Sequence, residues 1–161
     1  MEKVIVWGTG RTYNANKKVL FELVNEGVLY IVALVNNVGG NDTLDGYRVV
    51  SKEDISHLEY DAIVVPDCET LRSTTYERLE QFRNQGGKLI FMGNAPVYEN
   101  AVKSDRGIKL YEKSVSVCFD RAGLLLALED NRTVTLRYDN GKLTDDFIYQ
   151  LREDNDCEWL F

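Results

Sequence analysis

Residues 3–15 read KVIVWGTGRTYNA. A β-branched apolar run over 3–7 meets the pair Gly8-x-Gly10, and a helix-period segment over 14–25 then places Val19, Leu20, Leu23 and Val24 on one face before Gly27 stops it. Strand, glycine turn and helix in direct succession form the first half of a crossover unit. The alternation continues: apolar runs at 30–35, 62–65, 88–92 and 115–119 read as four more strands. Between them, Thr74 and Glu77 at capping-box spacing predict a helix over 75–85 that buries Tyr76, Leu79 and Phe82. Asp120 is placed to cap an apolar helix over 122–128, with a helical turn near 108–112 before it and a weak Ser51–Asp54 cap before another short turn.

Short strands alternating with helices imply a parallel sheet covered on both faces. The expected fold is α/β: a three-layer Rossmann-like or flavodoxin-like sheet of about five parallel strands. The last thirty or so residues differ. TVTLRY, DFIYQLRE and CEWLF are short alternating runs separated by DNG and DND, predicting a C-terminal antiparallel β-hairpin addition. The organisation expected is one α/β domain over 1–161, with a first half to 65, a second half over 66–130 and a β appendage over 131–161.

A net charge of −7, with no basic run longer than Lys17-Lys18, argues against nucleic-acid and anionic-membrane partners. The apolar start is too short for a signal peptide and no apolar run approaches a membrane span, so a cytoplasmic location is expected. Three widely spaced cysteines (68, 118 and 157) and a single histidine, His57, fit reduced thiols and offer neither a disulfide frame nor a metal site.

The glycine pair lies where dinucleotide-binding domains seat a pyrophosphate on a helix N-terminus. Candidate ligand contacts are Gly8, Thr9, Gly10, Arg11 and Asn14 in this loop, Asn36 at the end of the second strand and Asp67 at the end of the third. Two features depart from the fingerprint. Tyr13 occupies the third glycine position, where its ring should obstruct close helix-to-strand approach, and Asn36 and Asn37 stand where a ribose-binding acid is expected. The alternatives are a glycine turn required by positive φ or tight packing, or a site for an anion or nucleotide.

Cys68, in the turn VVPDCETLRS, invites comparison with a nucleophile. Its setting argues against one: Asp67 and Glu69 flank it, the expected helix cap is six residues away, and His57 precedes the third strand instead of lying at a carboxyl end. Arg72, near a helix N-terminus, is the best single side chain for gripping a carboxylate or phosphate. Glu69, Asp67 and Asp120 read as solvated loop charges in preference to cleft-lining acids, and Trp159, Phe161 and Phe147 as core contacts of the terminal hairpin in preference to a sugar-stacking face.

Two resemblances extend this reading. KVIVWGTG, IVALVNN, LDGYRVVSKEDI and YDAIVV resemble the small Rossmann-like domain found beside FkbM-type methyltransferases and in bacterial surface-polysaccharide proteins. That resemblance implies a dinucleotide-like or nucleotide-sugar pocket at the carboxyl ends of strands one and two, although the family has an aspartate where this chain has Asn36. VVPDCETLRSTT, GGKLIFMG and NAP, within residues 58–161, resemble the flavodoxin-like, amidotransferase-like accessory or trimerisation domain of large bacterial glycoside hydrolases. Catalytic carboxylates of those enzymes lie in a separate barrel, so this resemblance carries over no catalytic residue. The two meet at YDAIVVP, as they would in a chimera of two sources or in an ordinary small family.

Three functions remain in view. The first is a non-catalytic accessory or scaffold domain of carbohydrate-active type, working through self-association as a homo-oligomer and needing no cofactor. The second is a module binding NAD(P), a nucleotide or a nucleotide-sugar. An enzyme using Cys68 is the third.

Overall fold

In the computed structural model, residues 2–37, 42–131, 134–141, 144, 151–153 and 157–160 are described. The elements run β1 (Glu2–Trp7), α1 (Arg11–Asn25), β2 (Leu29–Asn36), β3 (Thr43–Leu44), β4 (Tyr47–Ser51), a 3-10 turn (Asp54–His57), β5 (Ala62–Pro66), β6 (Thr70–Leu71) and α2 (Ser73–Asn84). They continue as β7 (Lys88–Met92), β8 (Tyr98–Glu99), β9 (Val102–Lys103), α3 (Arg106–Glu112), β10 (Val115–Val117), α4 (Arg121–Ala127), a 3-10 turn (Glu129–Asn131), β11 (Leu151–Glu153) and β12 (Glu158–Leu160).

The main sheet has seven strands in the order β10-β7-β5-β1-β2-β4-β3, all parallel except the β3 edge. Counted along the chain, the six parallel strands are arranged 3-2-1-4-5-6, the order of dinucleotide-binding folds and not the 2-1-3-4-5 of flavodoxin. The order reverses between β1 and β5. This resolves the fold as Rossmann-like.

Strand periodicity sends alternate residues of β1 to opposite faces. Val4 and Val6 pack with Leu20 and Leu23 of α1 and Leu124 of α4, whereas Ile5 and Trp7 pack with Tyr76 and Leu79 of α2 and Leu110 of α3. Helices α1 and α4 therefore cover one face, α2 and α3 the other. β5 is buried along its whole length, as a strand covered on both faces must be.

One parallel strand was hidden in GYRVVSKEDI. Tyr47–Ser51 pairs with β2 in the register Leu34↔Val49 to Asn36↔Ser51, and it turns back through the Asp45–Gly46 hairpin to β3. Asp45 and Gly46 both hold positive φ, at 54° and 85°, the conformation for which Asp-Gly turns are selected. The short turn after β4 forms as expected, with Ser51 Oγ and Asp54 Oδ2 2.6 Å apart. In contrast, the capping box at Thr74 does not form: α2 begins at Ser73, and Thr74 Oγ1 accepts from Lys52 Nζ at 2.6 Å. Asp120 does cap α4, accepting from Gly123 N at 2.6 Å.

At the C-terminus β11 and β12 pair antiparallel, giving the expected hairpin. TVTLRY makes no regular strand over its described residues 134–138. Trp159 is 55% exposed, which removes it from any core, and Phe147 and Phe161 lie outside the described residues. No described helix is long and apolar enough to cross a membrane.

Candidate functional site

Parallel strands deliver their carboxyl ends, and the loops after them, to one edge of the sheet. At the β1/β5 reversal the loops diverge to opposite faces and leave a crevice. Here it is a cavity of about 660 Å³ between the Gly8–Tyr13 turn, Asn36 and Asn37 after β2, and Asp67 to Arg72 after β5, with Thr75, Asn100 and Ala101 completing the wall.

Of the sequence candidates, Gly8, Thr9, Gly10, Arg11, Asn36 and Asp67 all line this cavity. Asn14 does not: its Nδ2 donates to Gly10 O at 3.1 Å and braces the turn from the helix side. Gly8 has φ +111°, and its N–H donates to Val35 O at 2.8 Å, fixing the turn against β2. Asp67 accepts from Asn94 N at 3.0 Å through Oδ1, and it stands so close to Gly93 that a Cβ there would fall 2.9 Å from Asp67 Cβ. Part of its role is to hold the loop after β7.

Two helices start at the cavity and their ends differ. α1 has Gly10 at its N-cap, no side-chain cap and no acidic residue in its first turn, so its orphan N–H groups and positive dipole end remain open. At α2, Asn100 Oδ1 accepts from Ser73 N at 3.1 Å while Asn100 Nδ2 donates to Ser73 Oγ at 3.2 Å. That end is already engaged. Thr75 Oγ1 donates to Asn37 Oδ1 at 3.3 Å, tying α2 to the end of β2.

Tyr13 does not obstruct the fold as its place in the fingerprint suggested. The ring is 2% exposed in the core between α1 and the β3–β4 hairpin, and its hydroxyl donates to Asp45 Oδ2 at 3.1 Å. Burial, then Asp45, push the phenol's pKa up. Lys17 Nζ donates to both Asp45 oxygens at 2.7 and 2.8 Å, and that bond holds the carboxyl below its ordinary range. The hairpin supplies the room that a third glycine would otherwise have to leave.

Cationic lining comes from Arg11 and Arg72, both exposed, and neither guanidinium has a hydrogen bond or ion pair to a described residue, although the Arg72 carbonyl accepts from Thr75 N and Tyr76 N. Most other described arginines are engaged, as Arg106 is with Glu80 and Glu99 and Arg121 with Glu26. Cys68 also lines the cavity, but burial, and secondarily Asp67, push its thiol up to about 12. Sequence reasoning foresaw the direction and the acidic neighbour, but not that burial is the larger cause. His57 is exposed on the turn before β5 and does not line the cavity that Cys68 lines; Glu69 is likewise outside it. Among the described residues no three His, Cys, Asp or Glu side chains gather as a metal site. Arg72 was singled out from sequence, but Asn100 and Ala101 were not, because they reach the site from a distant hairpin.

The C2185-like N-terminal family model matches residues 1–83. The chain belongs to the C2185-like family. This C2185-like match covers β1 through most of α2, including the glycine turn and Arg72, and it crosses the strand at which the two sequence resemblances meet. No curated protein matches the sequence. Among solved structures, the C2185-like chain is similar to a crystal structure of D-galactose-1-dehydrogenase protein from Rhizobium etli, at 14% identity and a TM-score of 0.47. The match covers 70% of this chain and 33% of that one, about a third of the dehydrogenase's length.

Proposed function

We propose that this chain is a ligand-binding Rossmann-like module that takes a nucleotide, either NAD(P) or a nucleotide-sugar, in the switch-point cavity. Its phosphates would sit on the open N-terminus of α1 beside Arg11, with a ribose toward Asn36. The observation that carries the reading is Gly10. Unlike Gly8 it has an ordinary φ of −88°, and a Cβ built on it meets nothing within 4 Å. Neither backbone nor packing requires glycine there, whereas a phosphate lying on the helix end would. Asn36 in place of an acid leaves an amide that donates and accepts, so ribose recognition needs no charge.

Thermal unfolding against NAD, NADP, flavins, nucleotide-sugars and simple sugars tests the proposal. One nucleotide class should raise Tm, and Gly10→Val should abolish the rise while folding normally. No shift with any of them overturns the reading and favours a scaffold instead. Self-association has its own support in Trp159 and Leu160, each 55% exposed on the terminal hairpin. Sedimentation of wild type against Trp159→Ser checks it.

A further inference from the structure

Resting on the nucleotide reading above, we infer that Arg72 forms a second anion subsite, across the cavity from Arg11. The ligand would then be a nucleotide carrying a further anionic group beyond the phosphates on α1. Two guanidinium groups without a partner among the described residues, set against the single carboxylate of Asp67 in the lining, leave the cavity locally cationic in a chain of net charge −7. The Gly8–Tyr13 turn accounts for one of them. Arg72 belongs to the other side of the reversal, after β5 and at the start of α2.

Surroundings of Arg72 sharpen this. Because Asn100 takes the Ser73 N–H and the Arg72 carbonyl takes those of Thr75 and Tyr76, the end of α2 is largely engaged, and the Arg72 guanidinium is a charged donor on that side. The turn that brings Asn100 is held against the cavity at a conformational cost. Asn100 and Ala101 have φ of 51° and 67°, and further bonds run from Asn100 N to Leu71 O and from Ala101 N to Thr70 Oγ1. This wall closes the cavity beside Arg72. A guanidinium in that place recognises a planar carboxylate or a phosphate oxygen pair, and both share the same chemistry here.

Calorimetric titration of two ligand pairs separates the sources: UDP-glucuronate against UDP-glucose for a carboxylate, ATP against ADP for an added phosphate. In wild type the more anionic member of one pair should bind about tenfold tighter, a typical value for one charge-assisted contact. Arg72→Gln should abolish that preference and leave the less anionic member within about twofold, whereas Arg11→Gln should weaken all binding members alike. Circular dichroism checks that both variants fold. Equal affinities within both pairs, or a preference that survives Arg72→Gln, overturns the second subsite while the nucleotide reading stands. Failure of all four to bind overturns the second subsite, whereas the nucleotide reading falls only if NAD, NADP, flavins and nucleotide-sugars also leave Tm unchanged.

Discussion

Gly8 and Gly10 sit two residues apart and answer to different demands. At φ +111° a side chain on Gly8 strains the backbone, so Gly8→Ala should cost roughly 1–3 kcal/mol in urea unfolding. Gly10→Val, with open space around its Cβ, should cost no more than about 1 kcal/mol, the difference in N-cap preference. Ala101 is the reverse case, an L-residue held at φ 67°, and Ala101→Gly should stabilise the fold by roughly 0.5–1 kcal/mol. Cys68 has a prediction of its own. With its thiol pushed up to about 12, iodoacetamide at pH 8 should label the exposed Cys118 and Cys157 first, and Cys68 should still gain rate as pH rises further. Rapid selective labelling of Cys68 would revive the nucleophile reading. The glycines, Asn36, Asp67 and Arg72 were legible as neighbours in the switch-point cavity because each lies at or after the carboxyl end of a strand marked by its apolar run. Tyr13 was legible as a misfit but not as a solved one, since its partner Asp45 is 32 residues away.

At the scale of elements, local signals succeeded where the bonding partners are near in sequence. Asp120 caps α4 from three residues away, and Asp120→Ala should cost about 1 kcal/mol. Thr74 has the same kind of signal at α2, yet its partner is Lys52, and the group serving that helix end is Asn100, 27 residues from Ser73. Asn100→Ala should therefore cost about 1 kcal/mol while Thr74→Ala stays within about 0.5, a ranking opposite to that implied by the capping box. The β8–α3 segment is clamped by Arg106, which donates to Glu80 at 2.9 and 2.7 Å and to Glu99 at 2.7 Å over the Tyr76 ring. The bond from Arg106 holds the Glu80 carboxyl below its ordinary 4.5. Because the folded value is depressed, this stabilisation is complete above pH 4.5 and is lost as pH falls through the lower folded value. Arg106→Met should make the acid limb of the stability profile shallower, as followed by denaturation midpoints from pH 6 to pH 3.

For the molecule as a whole, the cavity links binding to stability. A nucleotide held at 100 times its Kd adds about 2.7 kcal/mol, or several degrees in Tm for a chain of this size. If Arg11 and Arg72 provide the attraction, that gain should shrink as sodium chloride is raised from 50 to 500 mM, since exposed cations are screened. A salt-independent shift would assign the affinity to apolar contacts.

The sequence by itself determined that strands alternate with helices, that the sheet is largely parallel and that a glycine turn follows the first strand. Those are consequences of periodicity and turn chemistry, which act within a few residues. Only the tertiary structure decided the 3-2-1-4-5-6 order, which places the reversal between β1 and β5, and the addition of β4 beside β2. It also decided the approach of Asn100 and Ala101 to Arg72 and the burial that pushes the Cys68 thiol up. Strand order depends on which apolar faces meet across the whole chain, and no local pattern records that choice.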